Sequence, residues 1–449
     1  MNPRQRKTST SPARRAAFDI LLRVETEGAY ASVLIASLPD TSLSREDRAL
    51  AHEITLGVLR WQRWLDYFIE RYAARSIREL DVQVVIALRM GFYQLRFLTR
   101  VPQSAAVNES VNLVKDSGVR SASGFVNAVL RKAVRNPGDE AGVDIRDPVQ
   151  RASVETSHPE WMLRRWSAFL GETEARALAL ANNASPTTAF RVNTLRATQD
   201  ETISTLEAQG VRARASGLVP GAFLVEQGAG AVARAAEQGL IYVQDEASQL
   251  VSLLLEAKPD DRVLDLCAAP GSKSSHIAAL TQDKAWIVAC DVHSHRLASL
   301  SETCNRLGVH SVDAVAVDAT RELPFRDDSP KFDRVLVDAP CTGTGTLRRN
   351  PEIKWRLIPD DIARLAGVQL DLLTVAASRV RGGGRLVYST CSIEREENEE
   401  VIGRLLERNQ SLRLIKPNAG ELVTPQGFVR TFPHRHEMDG FFVAVLEKN

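Results

Sequence analysis

The sequence predicts a multidomain protein: an all-α N-terminal module, a small α+β module in the middle and a C-terminal α/β domain. Three observations predict it. Apolar residues recur at helical spacing through residues 11–135. Between residues 190 and 243 short apolar strands alternate with a helix. From residue 262 onward, apolar runs end one after another in an acid or a cysteine, as parallel strands do when ligand residues sit at their carboxyl ends. A chain of 449 residues has room for two or three such cores.

The elements follow in order. Residues 1–10 carry Arg4, Arg6 and Lys7 among Ser and Thr with no apolar stretch, and are expected to be a disordered basic tail. Residues 11–140 form the helical module. Ala17, Leu21 and Val24 mark one apolar face, and Val85, Leu88, Phe92 and Leu95 another. Ser44 with Asp47 three residues on reads as a helix start. Val126, Val129, Leu130 and Ala133 mark the last helix, which should stop before Asn136-Pro137-Gly138; the stretch Asn136–Gly142 is the expected boundary. Roughly 21 basic against 15 acidic side chains lie in residues 1–140, a balance suited to holding a polyanion. Scattered Arg on solvated helix faces would give the same count.

Residues 145–255 are expected to be the small α+β module. A helix runs from His158-Pro159 to Leu170, with Pro in the first turn. Strands are predicted at Phe190–Asn193, Val211–Ala215, Phe223–Val225 and Leu240–Val243, with a helix over Thr202–Gln209. The catalytic domain is placed at residues 256–449.

In that domain two cysteines follow apolar runs in matching loops: Cys341 in Val337-Asp338-Ala339-Pro340-Cys341-Thr342-Gly343, and Cys391 in Val387-Tyr388-Ser389-Thr390-Cys391-Ser392. A lone cysteine is usually an inert core residue. Two at strand ends, one beside a carboxylate, are expected to meet over one pocket. Upstream, the strand Arg262–Leu266 leads into Cys267-Ala268-Ala269-Pro270-Gly271-Ser272-Lys273 and then a helix. Small residues between strand and helix let a ligand approach the backbone. The loop is neither GxGxxG nor a Walker loop, which argues against a dinucleotide or a nucleoside triphosphate. Further strand-like runs end in Asp291, Asp318 and Asp338. An acid at the second strand end suits ribose hydroxyls, and one at the third can face an adenine edge. Each alone would read as a turn residue.

Five cysteines with no C-x-x-C give neither a zinc motif nor a disulfide framework, so no metal is expected and reduced thiols in the cytoplasm are. No run of 18 or more apolar residues exists, so no membrane partner is expected. Arg348, Arg349, Lys354 and Arg356 surround Trp355, a basic and aromatic mix that can grip a nucleic-acid strand or be an ordinary loop.

Residues 262–449 resemble the Sun (Fmu) family of RNA cytosine-5 methyltransferases. The likeness rests on Leu264–Lys273, Asp338–Gly345, Tyr388–Ser392, Asn350–Trp355 and Gly440–Ala444. Residues 11–135 resemble the NusB fold through Ala49–Arg60 and Phe125–Lys132. Ser272 stands where the family usually has a second glycine, which matters only if that position needs a positive φ. The resemblance implies a Rossmann-like domain that binds S-adenosyl-L-methionine on the 267–273 loop, with Asp291, Asp318 and Asp338 beside it. It implies Cys391 as the nucleophile, Cys341 as the residue of product release and Asp338 at the base's N3 edge. The implied substrate is small-subunit (16S) ribosomal RNA, acted on by a monomer. The alternatives are a cytosine-5 methyltransferase acting on tRNA, another RNA or DNA, and a non-enzymatic RNA-binding scaffold of antitermination type.

Overall fold

A computed structural model describes residues 10–38, 43–137, 142–321, 323–325 and 331–449. Nearly all of the expected basic tail, and residues 138–141 of the expected boundary, lie outside the described residues. The chain divides into two compact units: residues 1–185 with Leu347–Arg356, and Pro186–Thr346 with Leu357–Asn449. The expected 145–255 module is thereby split, its leading helices clustering with the N-terminal unit.

The first unit is helical. Helices span Pro12–Glu27, Ala31–Ala36, Arg45–Arg60, Gln62–Ala73, Val82–Phe97, Gln103–Asp116 and Ser123–Arg135. Three more follow at Pro148–Thr156, Glu160–Leu170 and Glu172–Ala181, of which the first and last are not evident in the sequence pattern. The Ser44 hydroxyl accepts from the Asp47 amide at 3.0 Å, the N-cap the spacing predicts. Val82–Phe97 is the central helix, buried continuously from Val84 to Gln94. Its Arg89 is satisfied by a two-pronged pair to Asp66 at 2.7 and 2.9 Å and by Glu25 at 3.2 Å. That network lets a guanidinium sit inside an apolar core. Ala17, Leu21, Val24, Leu88 and Phe92 are buried as expected.

The Trp355 stretch is a correction to the sequence reading. It is no exposed basic grip: it packs among the helices of this unit. Lys354 is 1% exposed, and its ammonium donates to the Arg60 carbonyl at 2.8 Å, the Ser157 carbonyl at 2.9 Å and Asn183 Oδ1 at 3.0 Å. The Trp355 indole donates to the Leu59 carbonyl at 2.7 Å, and Arg356 to the carbonyls of Val24 and Ala29. Arg348 is buried and its carbonyl accepts from Arg60. The charges sit where helix ends leave carbonyls without partners.

The second unit holds two sheets. The small one has β1 (Ala189–Val192), β2 (Arg212–Ala215), β3 (Ala222–Gln227) and β4 (Ile241–Val243) in the antiparallel order β2-β3-β1-β4. Helix Gln199–Ala208 opens with a capping box between Thr198 and Glu201, and a helix at Ala229–Glu237, too rich in small residues to show a period, completes the layer.

The large sheet contains β5 (Arg262–Asp265), β6 (Trp286–Asp291), β7 (Val312–Ala316), β8 (Phe332–Asp338), β9 (Val380–Thr390), β10 (Leu412–Ile415), β11 (Val429–Arg430) and β12 (Phe442–Lys448). Its order is β10-β12-β9-β8-β5-β6-β7, with β11 on β12. Strands β5 to β9 are parallel, and β12 runs antiparallel to β9 and β10. The chain winds from β5 outward through β6 and β7, then returns to β8 on β5's other side. Ligands bind above the carboxyl ends at such a switch point. Two apolar layers cover the sheet faces, which is why its central strands read as continuous apolar runs. No helix among the described residues is long and apolar enough to cross a membrane.

Candidate active site

The carboxyl ends of β5, β6, β8 and β9 gather the expected side chains. After β5 the loop turns sharply, with the Gly271 amide donating to the Ala268 carbonyl at 2.7 Å. Gly271 caps the helix Ser272–Leu280 with φ of 95°, and a Cβ there would lie 3.0 Å from Leu300 Cγ. The position that needs glycine is therefore Gly271. Ser272 is the first helical residue and has no positive φ, so its Cβ costs nothing.

Lys273 is the second residue of that helix, and its ammonium joins groups from three other segments. It donates to Asp338 Oδ2 at 2.6 Å and to Ser248 Oγ at 3.1 Å, and it stands 5.6 Å from the centre of the Phe441 ring. Asp338, the last residue of β8, also accepts from Ser389 Oγ at 2.7 Å. The small sheet supports this region from the side. Arg191 of β1 donates to Ser275 Oγ at 3.0 Å and Gln244 Oε1 at 3.2 Å, and burial pulls its pKa down to about 10. Asn193 ties the carbonyls of Gly239 and Leu307 together at 2.8 Å each.

The sulfurs of Cys341 and Cys391 are 3.3 Å apart. They arise from loops after β8 and β9, neighbours joined in register at Asp338 and Ser389. The bond to Cys391, and then burial, hold the Cys341 thiol well above its ordinary pKa, so this sulfur keeps a proton at neutral pH. Burial pushes Cys290 up to about 12 and Cys304 to about 11, and it raises Cys267 as well, which keeps all three thiols protonated at neutral pH.

Asp291 ends β6 and is buried, accepting from the His293 amide at 2.9 Å, with Arg296 at 3.4 Å. Asp318 lies two residues beyond β7 rather than on it. Its side chain is 40% exposed and holds a turn through the Thr320 amide and hydroxyl. Those bonds keep its pKa low.

Two buried carboxylates escaped the sequence reading. Asp265, at the end of β5, accepts from Ser274 Oγ at 2.7 Å, while its Oδ1 is buried without a partner. Burial raises its pKa to about 7. Glu397 sits in the acidic run Glu394–Glu400, which reads as a solvated surface, yet it is fully buried behind both cysteine loops. No signal in one sequence separates it from its neighbours. An orphaned oxygen at β5, a small-residue turn and an acid at β6 fit a nucleoside-like ligand whose hydroxyl and amine groups donate hydrogen bonds.

Comparison with known proteins matches the description "16S rRNA methyltransferase RsmB/F" over residues 252–447. It matches the NusB family over residues 11–135 and the ferredoxin-like domain of RsmF/B-like methyltransferases over 158–232. The chain is 35% identical to the probable ribosomal RNA small subunit methyltransferase B of Bacillus subtilis, covering 99% of both chains. It is 36% identical to ribosomal RNA small subunit methyltransferase B of Pseudomonas putida, over 92% of this chain and 94% of the relative. Its fold is similar to the crystal structure of PH0851, with a TM-score of 0.83, 28% identity and coverage of 98% of this chain and 100% of that one.

Proposed function

The chain belongs to the RsmB/F family of RNA methyltransferases, and we propose that it methylates carbon 5 of a cytosine in small-subunit ribosomal RNA through a covalent cysteine adduct. The observation that carries the proposal is the pair of thiols 3.3 Å apart at the ends of β8 and β9, beside a carboxylate held by Lys273.

S-adenosyl-L-methionine would lie on residues 267–273, with Asp291 at its ribose and Asp318 toward its adenine. When bound it supplies an electrophilic methyl group. Carbon 5 of cytosine is a poor nucleophile. The Cys391 thiolate adds to carbon 6, and electron density moves to carbon 5 and to the ring's N3 edge. Asp338 and Lys273 face that edge as a hydrogen-bonded pair, able to hold the charge and supply a proton. Once carbon 5 has been methylated, its proton passes to solvent water, the C–H electron pair re-forms the double bond between carbons 5 and 6, and Cys391 leaves carbon 6 as a thiolate. Cys341 serves this release. A base stacked in RNA must first be turned out to reach the thiols.

Trapping decides the assignment. Cys341→Ala should accumulate a covalent RNA–protein adduct with small-subunit RNA, and Cys391→Ala should form none. The opposite pattern would exchange the two roles. Tritium transfer to tRNA or duplex DNA in place of small-subunit RNA would overturn the substrate. Transfer to none of them, with the adduct absent from every variant, would favour the scaffold.

A further inference from the structure

We propose that Glu397 is the positioning residue of the dithiol, a buried carboxylate that locks the Cys341 and Cys391 loops in register. The proposal deepens the function above and rests on it for its catalytic meaning, though not for its geometry. The parallel ladder between β8 and β9 ends at Asp338 and Ser389, before either cysteine. Beyond it the Gly345 amide donates to the Cys391 carbonyl at 2.9 Å and the Ile393 amide to Thr344 Oγ1 at 3.1 Å, and Glu397 adds a link at the residues next to the sulfurs. Glu397 Oε1 accepts from the Thr342 amide at 2.9 Å and from Gln369 Nε2 at 3.0 Å. Its Oε2 accepts from the Thr342 hydroxyl and from Ser392 Oγ at 2.5 Å. Thr342 follows Cys341 directly and Ser392 follows Cys391. One carboxylate thus grips the residue after each thiol, with its acceptor sites filled by four donors.

The neighbouring Asn398 shows the contrast. It accepts from Thr390 Oγ1 at 2.6 Å and donates to the Ser392 carbonyl at 2.9 Å, so it holds the Cys391 loop alone. Burial raises the pKa of Glu397, which a carboxylate tolerates only where every donor around it is aimed inward. Glutamine can keep the same links, since its oxygen accepts from the Thr342 amide and both hydroxyls can rotate to accept from its nitrogen. Aspartate, one methylene shorter, can reach only one loop.

The spacing of the sulfurs can be read without any turnover. A trivalent arsenical such as phenylarsine oxide forms two As–S bonds with two thiols and releases one water, with no change of oxidation state, only when the thiols are adjacent. The wild-type chain should take up one bridging arsenical, lost in Cys341→Ser and in Cys391→Ser. Glu397→Gln should bridge like the wild type. Glu397→Ala and Glu397→Asp should bridge at least about tenfold more slowly and lose kcat by a similar factor at unchanged KM for RNA, as a misplacement near 1 Å would cause. Should the alanine variant not fold, the aspartate variant carries the test. Folded Glu397→Asp that bridges at the wild-type rate overturns the proposal, whatever its activity. Loss of bridging in a protein that never methylates RNA would instead leave the positioning role standing and sink the proposed function.

Discussion

Two stretches that are close in sequence, Asp338–Gly345 and Asn350–Arg356, are equally rich in chemistry, and they use it in opposite ways. In the first, the polar groups meet reactive groups of other strands and loops: Asp338 meets Lys273, and Cys341 meets Cys391. In the second, every described contact of Lys354, Trp355 and Arg356 with an oxygen ends on the helical unit's own carbonyls or on Asn183. The difference lies in the acceptors. Carbonyls left over at helix ends need donors, and a lysine or tryptophan supplies them as a strut would. A carboxylate facing another element's ammonium at the mouth of a parallel sheet has no such structural debt to settle. Density of functional side chains does not identify a site; what those side chains face does.

The largest expected effect breaks the comparison on the side of the pocket. Cys391→Ala should lower methyl transfer by more than about a thousandfold while leaving the melting temperature within a few degrees, because a half-buried thiol contributes little to packing. A single-turnover assay with small-subunit RNA reads the first quantity and calorimetry the second. Substantial turnover would move the nucleophile elsewhere.

On the other side, Lys354→Ala should cost about 3–5 kcal/mol of stability, since it strands three buried acceptors and leaves a cavity. Denaturant midpoints measure it. A loss below about 1 kcal/mol, accompanied by weaker RNA binding, would return this stretch to the surface role its sequence suggested. The same contacts bear on truncation. Removing residues 1–142 would take away Val24, Ala29, Leu59 and Arg60, the partners of Arg356, Trp355 and Lys354, so the shortened chain would expose buried donors. A chain lacking residues 1–142 is therefore expected to lose stability as well as any RNA contacts of the helical module.

Asp265 sharpens the comparison through pH. Its pKa in the folded chain, about 7, lies above its value in an unfolded one, near 3.9, so the native state binds the proton more tightly. Its contribution to stability is full below about pH 4 and is lost as pH rises through about 7. Asp265→Asn keeps an acceptor for Ser274 and cannot ionise. Its melting temperature should equal the wild type's at low pH and exceed it increasingly from about pH 4 to pH 8. Parallel curves for the two proteins would mean that the carboxyl is ionised and that its orphaned oxygen has a partner.

How far the sequence reaches follows the same line. Strand ends that carry Asp291, Asp338, Cys341 and Cys391 are legible because a buried parallel strand is a continuous apolar run and its end is where polar residues begin. The Ser44 cap is legible because it is local, whereas the sequence reading misses the Thr198–Glu201 box and starts the helix after it three residues late. Glu397 is not, because its burial depends on two loops from other strands closing over it. Lys354 is not, because only the packed helices decide that its charge is inside. Periodicity reports which face of an element is apolar and says nothing about a polar residue driven inward by tertiary contacts.

The smallest expected effects concern the acids at β6 and β7. Asp291→Ala should weaken binding of S-adenosyl-L-methionine by about 1–3 kcal/mol, the cost of unpairing buried polar groups. Asp318→Ala should weaken it by less than about 1 kcal/mol, because an exposed carboxylate already engaged by Thr320 gives a ligand little that water does not. Asp291 has a rival role. Arg296 pairs with it at 3.4 Å and also donates to the Ala269 carbonyl at 2.9 Å, so the carboxylate can act by bracing the 267–273 loop rather than by touching the ligand. Titration calorimetry on Arg296→Ala separates the two. A brace acts through the arginine, so both variants would lose affinity alike and the double variant would lose no more. Direct contact leaves Arg296→Ala close to wild type and puts the whole loss on Asp291.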